Sequence, residues 1–155
     1  MLLLNAGAAL LPASTGVDIV ESVIAQNKVL LPTMKFDVLD FSSQPLPVMS
    51  GKGASAIFTR DALQHLPYQT IVGALENFAR SSATYLVVGS YFTPGTNTNI
   101  GAGDYFSINL LEAPFNLPPP MDAVEEETPD KKNLFVYRIA DLKKIDFAAM
   151  RARAN

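Results

Sequence analysis

The sequence predicts an α/β fold in which a mostly parallel sheet is flanked by helices. Three observations support this: short apolar strands at 35–40, 54–59 and 84–92, a helix at 68–80 between the last two, and carboxylates at the ends of two of the strands. Apolar strands that alternate with helices are typical of βαβ units, whose strands run parallel. In such sheets ligands bind outside the carboxyl ends of the strands. Asp40 and Asp61 each stand at the end of one strand and therefore mark the edge of the sheet where we expect a site.

The first half of the chain predicts three strands and one helix before the helix at 68–80. A short strand at 14–19 precedes a helix whose apolar stripe, formed by Val20, Val23, Ile24 and Leu30, recurs at three- and four-residue steps until Pro32 ends it. The next strands cover 35–40 and 54–59. The segments between these two strands contain prolines and glycines, which favour loops.

The second half begins with the clearest helix. Ile71, Leu75 and Phe78 form its predicted buried stripe. The strand at 84–92 is almost continuously apolar, which predicts cover on both faces. A loop at 93–120 follows, and its aromatic residues favour a packed segment over a disordered one. A solvated hairpin tip at 125–132, a final edge strand at 134–139 and a short helix in 142–155 complete the prediction.

Composition excludes several kinds of site. The 155 residues favour a single domain. A net charge of −3 and a pI of about 5.0 give no sign of a basic nucleic-acid surface. The chain has no cysteine and one histidine, His65, which excludes disulfides, thiolate ligands and multi-histidine metal sites. We therefore predict neither a metal site nor a nucleic-acid partner.

The segment 1–13 is apolar but carries no targeting signature. It is too short to span a membrane, and it lacks the basic residues that open a signal peptide. We expect a buried strand or an artefactual start here, no membrane partner, and a cytoplasmic location.

Two carboxylates near strand ends suit a nucleoside. Asp18 can accept hydrogen bonds from both ribose hydroxyls, and the alternative is a helix N-cap. Asp40 can accept from an adenine amine while Phe41 packs on the ring. The alternative for this pair is a turn with Phe41 in the core.

The segment 60–67 is the densest polar cluster. Arg60 and Asp61 are placed to line the floor where a cofactor meets a substrate. His65 and Asp61 are the candidates for catalysis, and histidine suits a general base because its pKa lies near the operating pH. The alternative is that Asp61 caps the following turn, with Gln64 as a capping-box partner, while His65 is exposed.

Several stretches together resemble the class I S-adenosylmethionine-dependent methyltransferases over about residues 15–142. Between a divergent segment 1–14 and a tail 143–155 stand, in order, Gly16-Val17-Asp18-Ile19-Val20, Val38-Leu39-Asp40, Phe58-Thr59-Arg60-Asp61-Ala62-Leu63-Gln64-His65-Leu66-Pro67, Gly103-Asp104-Tyr105 and Pro114-Phe115-Asn116-Leu117-Pro118. The resemblance implies a Rossmann-like, mostly parallel sheet and S-adenosylmethionine as cofactor.

The same resemblance implies roles for individual residues. Asp18 would hold the cofactor ribose, Asp40 and Phe41 would flank adenine, and Arg60 and Asp61 would lie beside the methionine end. The 97–109 loop would face the methyl acceptor, a small molecule or a peptide. Its candidate residues for substrate binding are Asn97, Asn99, Asp104 and Tyr105. The alternative for Gly103-Asp104 is a tight turn in which Gly103 supplies a positive φ.

The chain departs from the family at its start. The fold usually opens with a strand and a Gly-x-Gly turn about 20 residues before the ribose carboxylate. No Gly-x-Gly precedes Asp18, so this first strand and its turn are missing or replaced. The alternative is therefore a methyltransferase-fold fragment or partner-binding domain that has lost the cofactor. A remnant of a nucleotide-binding oxidoreductase is a weaker third possibility.

Overall fold

A computed structural model of the chain describes residues 14–49, 53–127 and 132–155. The segment 1–13, where the sequence suggests a buried strand or an artefactual start, lies outside these residues. The described elements are, in chain order, β1 (Thr15–Asp18), α1 (Glu21–Leu30), β2 (Lys35–Val38), β3 (Ala56–Thr59), a 3-10 turn (Leu63–His65), α2 (Tyr68–Arg80), β4 (Tyr85–Tyr91), β5 (Asp122–Glu125), β6 (Lys132–Arg138), α3 (Ile139–Leu142) and α4 (Phe147–Arg153).

The strands form two sheets. β1 and β2 pair in parallel, with Thr15 opposite Lys35 and Asp18 opposite Val38. The second sheet has the order β3-β4-β6-β5, in which β3 and β4 are parallel while β6 runs antiparallel to both of its neighbours. The fold is therefore α/β with flanking helices, as predicted. The sheet is mixed rather than mostly parallel, because the chain returns through the β5–β6 hairpin.

The main core lies between α2 and one face of the four-stranded sheet. Leu86 and Val88 of β4 stand opposite Tyr137 and Phe135 of β6, and all four are at most 2% exposed. α2 begins and ends where the sequence predicted, and its buried stripe includes Ile71, Leu75 and Phe78. On the opposite face of β4, Val87 is partly exposed whereas Gly89 and Tyr91 are buried, so the prediction that β4 is covered on both faces holds for residues 88–91.

The C-terminal residues belong to this core. α4 buries Met150, and Ala154 beyond it is 1% exposed. Asp146 caps α4 by accepting a hydrogen bond from the amide of Ala149 at 2.9 Å. Packing against α2 therefore fixes a helix that local propensity alone leaves marginal.

β6 is an internal strand, which corrects the expectation of an edge. It lies between β4 and β5, and the edge strand beside it is β5, whose four residues are all exposed. The sequence placed no strand at 122–125, because Asp122-Ala123-Val124-Glu125 has little apolar patterning and forms only by pairing with β6. Part of the predicted hairpin tip, at 128–131, lies outside the described residues.

Candidate functional site

A cavity of about 220 Å³ lies where β1, β2 and β3 end. Asp18 is the last residue of β1, and Asp40 follows β2 by two positions. Because β1 and β2 run parallel, both carboxylates reach the same edge of their sheet and both line this cavity. Its walls are otherwise mostly apolar: Val17, Ile19, Phe41, Leu46, Ile57, Phe58, Ala62, Leu66 and Phe78 contribute to them.

The Asp18 carboxylate faces a turn before α1. Its Oδ1 accepts a hydrogen bond from the amide of Val20 at 2.9 Å. The N-cap position of α1 falls on Val20, so Asp18 closes a short turn two residues ahead of the helix. The alternative prediction that Asp18 is the N-cap of α1 is therefore wrong, although its carboxylate does accept a hydrogen bond from a nearby amide.

Asp40 is bonded by the two serines that follow it. Oδ1 accepts from the amide of Ser42 at 2.9 Å and from its hydroxyl at 2.6 Å, and Oδ2 accepts from the hydroxyl of Ser43 at 2.7 Å. The Ser42 hydroxyl lowers the pKa of Asp40, burial acts against it, and Ser43 lowers it further. Asp40 is thus an ionised acceptor held in a tight turn.

α2 fixes this turn from the other side. Asn77 donates to the carbonyl oxygens of Phe41 at 2.9 Å and Gln44 at 2.6 Å. A Cβ placed on Gly73 would lie 2.8 Å from the carbonyl oxygen of Ser42, so only glycine permits this close approach of helix and turn. The ring of Phe41 packs on Phe78, with centroids 5.7 Å apart, while also lining the cavity.

Arg60 and Asp61 lie in a separate ionic cluster. Asp61 has a φ of +56° and forms ion pairs with Lys132 and, at 3.1 Å, with Arg60. Arg60 also donates to Glu126 at 2.7 Å. Neither Arg60 nor Asp61 is among the residues that line the cavity of Asp18 and Asp40. Their described contacts instead tie the end of β3 to the β5–β6 hairpin.

The alternative prediction that Asp61 caps the 3-10 turn is wrong, because Ala62 occupies the cap position. The predicted contact with Gln64 does form, at 2.6 Å, but between two side chains. Burial raises the pKa of Asp61, and the bonds from Lys132 and Gln64 together with Arg60 outweigh it and lower the pKa. A carboxylate held ionised in this way is a weak proton acceptor.

Sequence reasoning missed Lys132 and Glu126. Lys132 is 7% exposed, and its ammonium lies 5.8 Å from the ring centre of Tyr91. Oε2 of Glu126 is buried without a hydrogen-bond partner among the described residues. The signal available was the opposite charges flanking a predicted hairpin tip, where cross-strand pairs form. The amide of Glu126 does donate to the carbonyl oxygen of Lys132, at 2.8 Å.

His65 faces the long loop. Its Nδ1 lies 2.8 Å from the carbonyl oxygen of Asp104, and its ring is 5.5 Å from that of Tyr105. Because a carbonyl oxygen only accepts, Nδ1 carries a proton and Nε2 of a neutral ring keeps its lone pair. Ala62 and Leu66, on either side of the 3-10 turn, line the cavity. This turn therefore separates the cavity from the loop.

Backbone hydrogen bonds attach the loop to the same turn. Gly103 donates to the carbonyl oxygen of His65 at 2.9 Å, and Phe106 donates to that of Gln64 at 3.1 Å. Gly103 has a φ of +93°, as the tight-turn alternative predicts. The hydroxyl of Tyr105 lies 3.1 Å from that of Tyr91, so Tyr105 joins the loop to β4.

The loop asparagines bond to the protein itself. Asn97 donates to the carbonyl oxygens of Asn109 and Ala113 and accepts from the amide of Asn109, each at 2.8 Å. Asn99 accepts from the amide of Tyr68 at 2.9 Å, which satisfies a donor in the first turn of α2. Both side chains were predicted to bind a substrate, and in the structure they bond to the protein and hold the loop in shape.

Over 14–49, 53–127 and 132–155, no cluster of three or more histidine and acidic side chains is suited to a metal ion. None of the helices described is both long and apolar enough to cross a membrane. The sequence matches no profile of a known protein family and no curated protein.

Proposed function

We propose that the chain is a methyltransferase-like domain that binds S-adenosylmethionine and transfers its methyl group to an acceptor. The observation that carries the proposal is that Asp18 and Asp40 end neighbouring parallel strands and line one cavity. Nucleosides bind at such an edge because the strand ends present acceptors there. The finer fold proposal, a Rossmann-like sheet, draws support from strand direction, because β3, β4 and β5 run the same way and the internal strand β6 alone runs against them. Mixed sheets of this kind are common among doubly wound folds.

The chemistry of the lining fits the nucleoside part of this cofactor. Asp18 supplies carboxylate oxygens for vicinal hydroxyls, and Asp40 supplies an ionised acceptor for an exocyclic amine. Phe41, Leu46 and Phe58 offer apolar surface for a planar ring. Asp40 already bonds Ser42 and Ser43, but a carboxylate has about four lone-pair positions, so capacity remains for one further donor.

The loop side of the 3-10 turn is the proposed acceptor side. When bound, the cofactor supplies an electrophilic methyl group, so the protein contributes mainly proximity and orientation. His65, with Nδ1 fixed by Asp104, is the side chain positioned to take a proton from an acceptor. Tyr105, half exposed and with its ring tilted against that of His65, is the candidate for contact with that acceptor. The acceptor would be a small molecule or a peptide.

One observation favours the second candidate, a non-catalytic domain that has lost the cofactor. The cavity measures about 220 Å³, whereas sites for drug-sized ligands occupy about 300–1,000 Å³. Arg60 and Asp61, proposed for the methionine end, are committed to Lys132 and Glu126. Cofactor binding therefore requires the cavity to widen toward the edges of β1 and β3 that pair with no other described strand.

Calorimetric titration with S-adenosylhomocysteine, the demethylated product, separates the two candidates. We expect micromolar binding that weakens at least tenfold in Asp18→Asn and in Asp40→Asn, because each loses a charge-assisted hydrogen bond worth about 1.5–3 kcal/mol. The matched control is Asp37→Asn, an exposed carboxylate on β2 outside the cavity. Its affinity should equal that of the unchanged chain.

Two outcomes would favour the non-catalytic candidate. One is the absence of binding heat in a sample whose circular dichroism shows it folded. The other is binding that Asp37→Asn weakens as much as Asp18→Asn does, because general loss of negative charge would then explain the effect.

A further inference from the structure

The ionic cluster of Arg60, Asp61, Glu126 and Lys132 lies at the carboxyl edge of the parallel strands in the four-stranded sheet. Arg60 directly follows β3, Glu126 directly follows β5, and Lys132 opens the antiparallel strand β6. The cluster holds two positive and two negative charges. Ligands of α/β sheets bind outside this edge, so the four side chains lie where a charged ligand group can meet them.

The cluster borders the candidate cavity and can be reached from solvent. Thr59 and Ala62, which flank Arg60 and Asp61 in the chain, both line that cavity. The side chains of Arg60 and Asp61 are 41% and 37% exposed. A ligand that extends out of the cavity can therefore contact the guanidinium of Arg60.

Glu126 binds Arg60 through only one of its two carboxylate oxygens. Oε1 accepts from Nε of Arg60 at 2.7 Å, whereas Oε2 is buried without a hydrogen-bond partner among the described residues. A carboxylate and a guanidinium form their strongest contact when both oxygens are bonded in a fork. A buried oxygen without a donor costs free energy, because its bonds to water are lost and not replaced. Glu126 is therefore an incomplete partner for Arg60.

We propose that Arg60 binds the carboxylate of a ligand and that the Glu126 side chain competes with the ligand for this position. Without Glu126, the charges of Arg60, Lys132 and Asp61 sum to one net positive charge, which suits a monoanionic group. Glu126 follows an edge strand whose four residues are all exposed. Its side chain can therefore turn toward water without displacing residues of the main core.

The identity of the ligand rests on the proposed function. S-adenosylmethionine carries an amino-acid end with one carboxylate, and its nucleoside would occupy the cavity of Asp18 and Asp40 beside the cluster. The contact between Arg60 and Glu126 then does not exclude the cofactor. It lowers the affinity for the amino-acid end, because the carboxylate of the cofactor must replace that of Glu126.

Calorimetric titration with two probes tests this competition. S-adenosylhomocysteine has the amino-acid end, and 5′-methylthioadenosine keeps the nucleoside but lacks that end. Glu126→Gln keeps the side-chain shape and removes the competing charge, so we expect S-adenosylhomocysteine to bind about fivefold more tightly. The affinity for methylthioadenosine should equal that of the unchanged chain. The matched control is Glu125→Gln, which makes the same charge change at the exposed neighbouring residue and should alter neither affinity.

Arg60→Gln completes a double-mutant cycle with Glu126→Gln. Alone, it should weaken S-adenosylhomocysteine about tenfold and leave methylthioadenosine unaffected, because the bond to the ligand carboxylate is lost. Added to it, Glu126→Gln should bring no gain in affinity, because the group for which Glu126 competes is absent. Should Arg60→Gln alone fail to fold, the double variant removes both charges and should still bind S-adenosylhomocysteine more weakly than Glu126→Gln does.

The two probes separate failure of this inference from failure of the proposed function. The inference is overturned if Glu126→Gln leaves the affinity for S-adenosylhomocysteine unchanged, tightens both probes equally, or acts no more strongly than Glu125→Gln. Binding of methylthioadenosine that Asp18→Asn weakens would in each of these cases leave the nucleoside site standing. If neither probe binds any folded variant, both the inference and the proposed function are overturned.

Discussion

The amide of Leu39 donates a hydrogen bond to the carbonyl oxygen of Asp18 at 2.9 Å. This bond continues the β1–β2 ladder one residue past the end of β2, so the chain reaches Asp40 while still held against the end of β1. The two carboxylates that line the cavity are therefore positioned by backbone pairing. A ligand that enters between these strand ends meets both acceptors.

Asp61→Asn should destabilise the fold by removing a carboxylate that pairs with Lys132. Lys132 is largely buried while Asp61 is 37% exposed, so the expected loss in free energy of unfolding is about 2 kcal/mol. This lies between the values for exposed pairs and fully buried pairs. Asparagine tolerates the positive φ of this position, so the substitution tests the charge. Urea unfolding measures the change.

Asp141→Asn is the matched control for the lysine pair. Asp141 bonds Lys144 at 2.7 Å on the exposed surface, where such pairs are screened. We expect its urea midpoint to equal that of the unchanged chain. If both substitutions shifted the midpoint equally, the Asp61–Lys132 pair would have no special part in the stability of the fold.

Acid should unfold the protein partly through Asp40 and Asp61. The pKa of each is lowered in the folded state, so each folded carboxylate holds its proton less tightly than the unfolded one. The resulting stability is present above the unfolded pKa of about 3.9 and is lost as the pH falls through the lower folded values. Unfolding free energies between pH 6 and pH 2.5 should drop below about pH 4. Asp61→Asn should flatten this drop, and an unchanged slope would contradict the prediction.

Gly73→Ala should reverse the usual effect of this substitution in a helix. Alanine normally stabilises a helix interior by about 1 kcal/mol over glycine. Here its Cβ would lie 2.8 Å from the carbonyl oxygen of Ser42, a backbone atom held by the Asp40 turn. Overpacking costs about 1–3 kcal/mol, so we expect a net loss of about 1 kcal/mol in urea unfolding. A gain in stability would show that α2 and the turn are not in close contact.

His65→Ala should loosen the loop and leave cofactor binding unchanged. The imidazole holds Asp104 through Nδ1, and the neighbouring backbone accepts from Gly103 and Phe106. Hydrogen exchange at the amides of Gly103 and Phe106 should therefore accelerate. Titration with S-adenosylhomocysteine should give the affinity of the unchanged chain, since His65 lies outside the cavity lining. A large loss of affinity would place His65 on the cofactor side.

The sequence predicted the elements whose signals are local. The bounds of α2 follow from the periodicity of Ile71, Leu75 and Phe78, and the shared edge of Asp18 and Asp40 follows from parallel strands. It did not predict β5, whose exposed residues gain strand structure only by pairing with β6. The sheet is mixed because β6 runs antiparallel to β4, which is itself parallel to β3.

Contacts between distant parts of the chain were beyond sequence reasoning. Asp61 meets Lys132 across 71 positions, and no local pattern indicates which lysine is buried. Asn97 was assigned to substrate binding from the resemblance to the methyltransferases, yet its side-chain amide donates to the carbonyl oxygens of Asn109 and Ala113. The spacing of the apolar stripe on α1 was recognised correctly, but it did not indicate that Ile24 is 3% exposed while Val20 and Leu30 are 45% and 65% exposed.

The most direct test of the cavity is an amide chemical-shift titration of the 15N-labelled chain with S-adenosylmethionine. We expect shifts concentrated at Ile19, Val20, Phe41, Ser42 and Ala62, the positions in and beside the lining of Asp18 and Asp40. The amides of Gly103 and Phe106, on the far side of the 3-10 turn, should move less. Shifts confined to that loop, or a folded spectrum that does not change, would contradict a nucleoside site between β1 and β2.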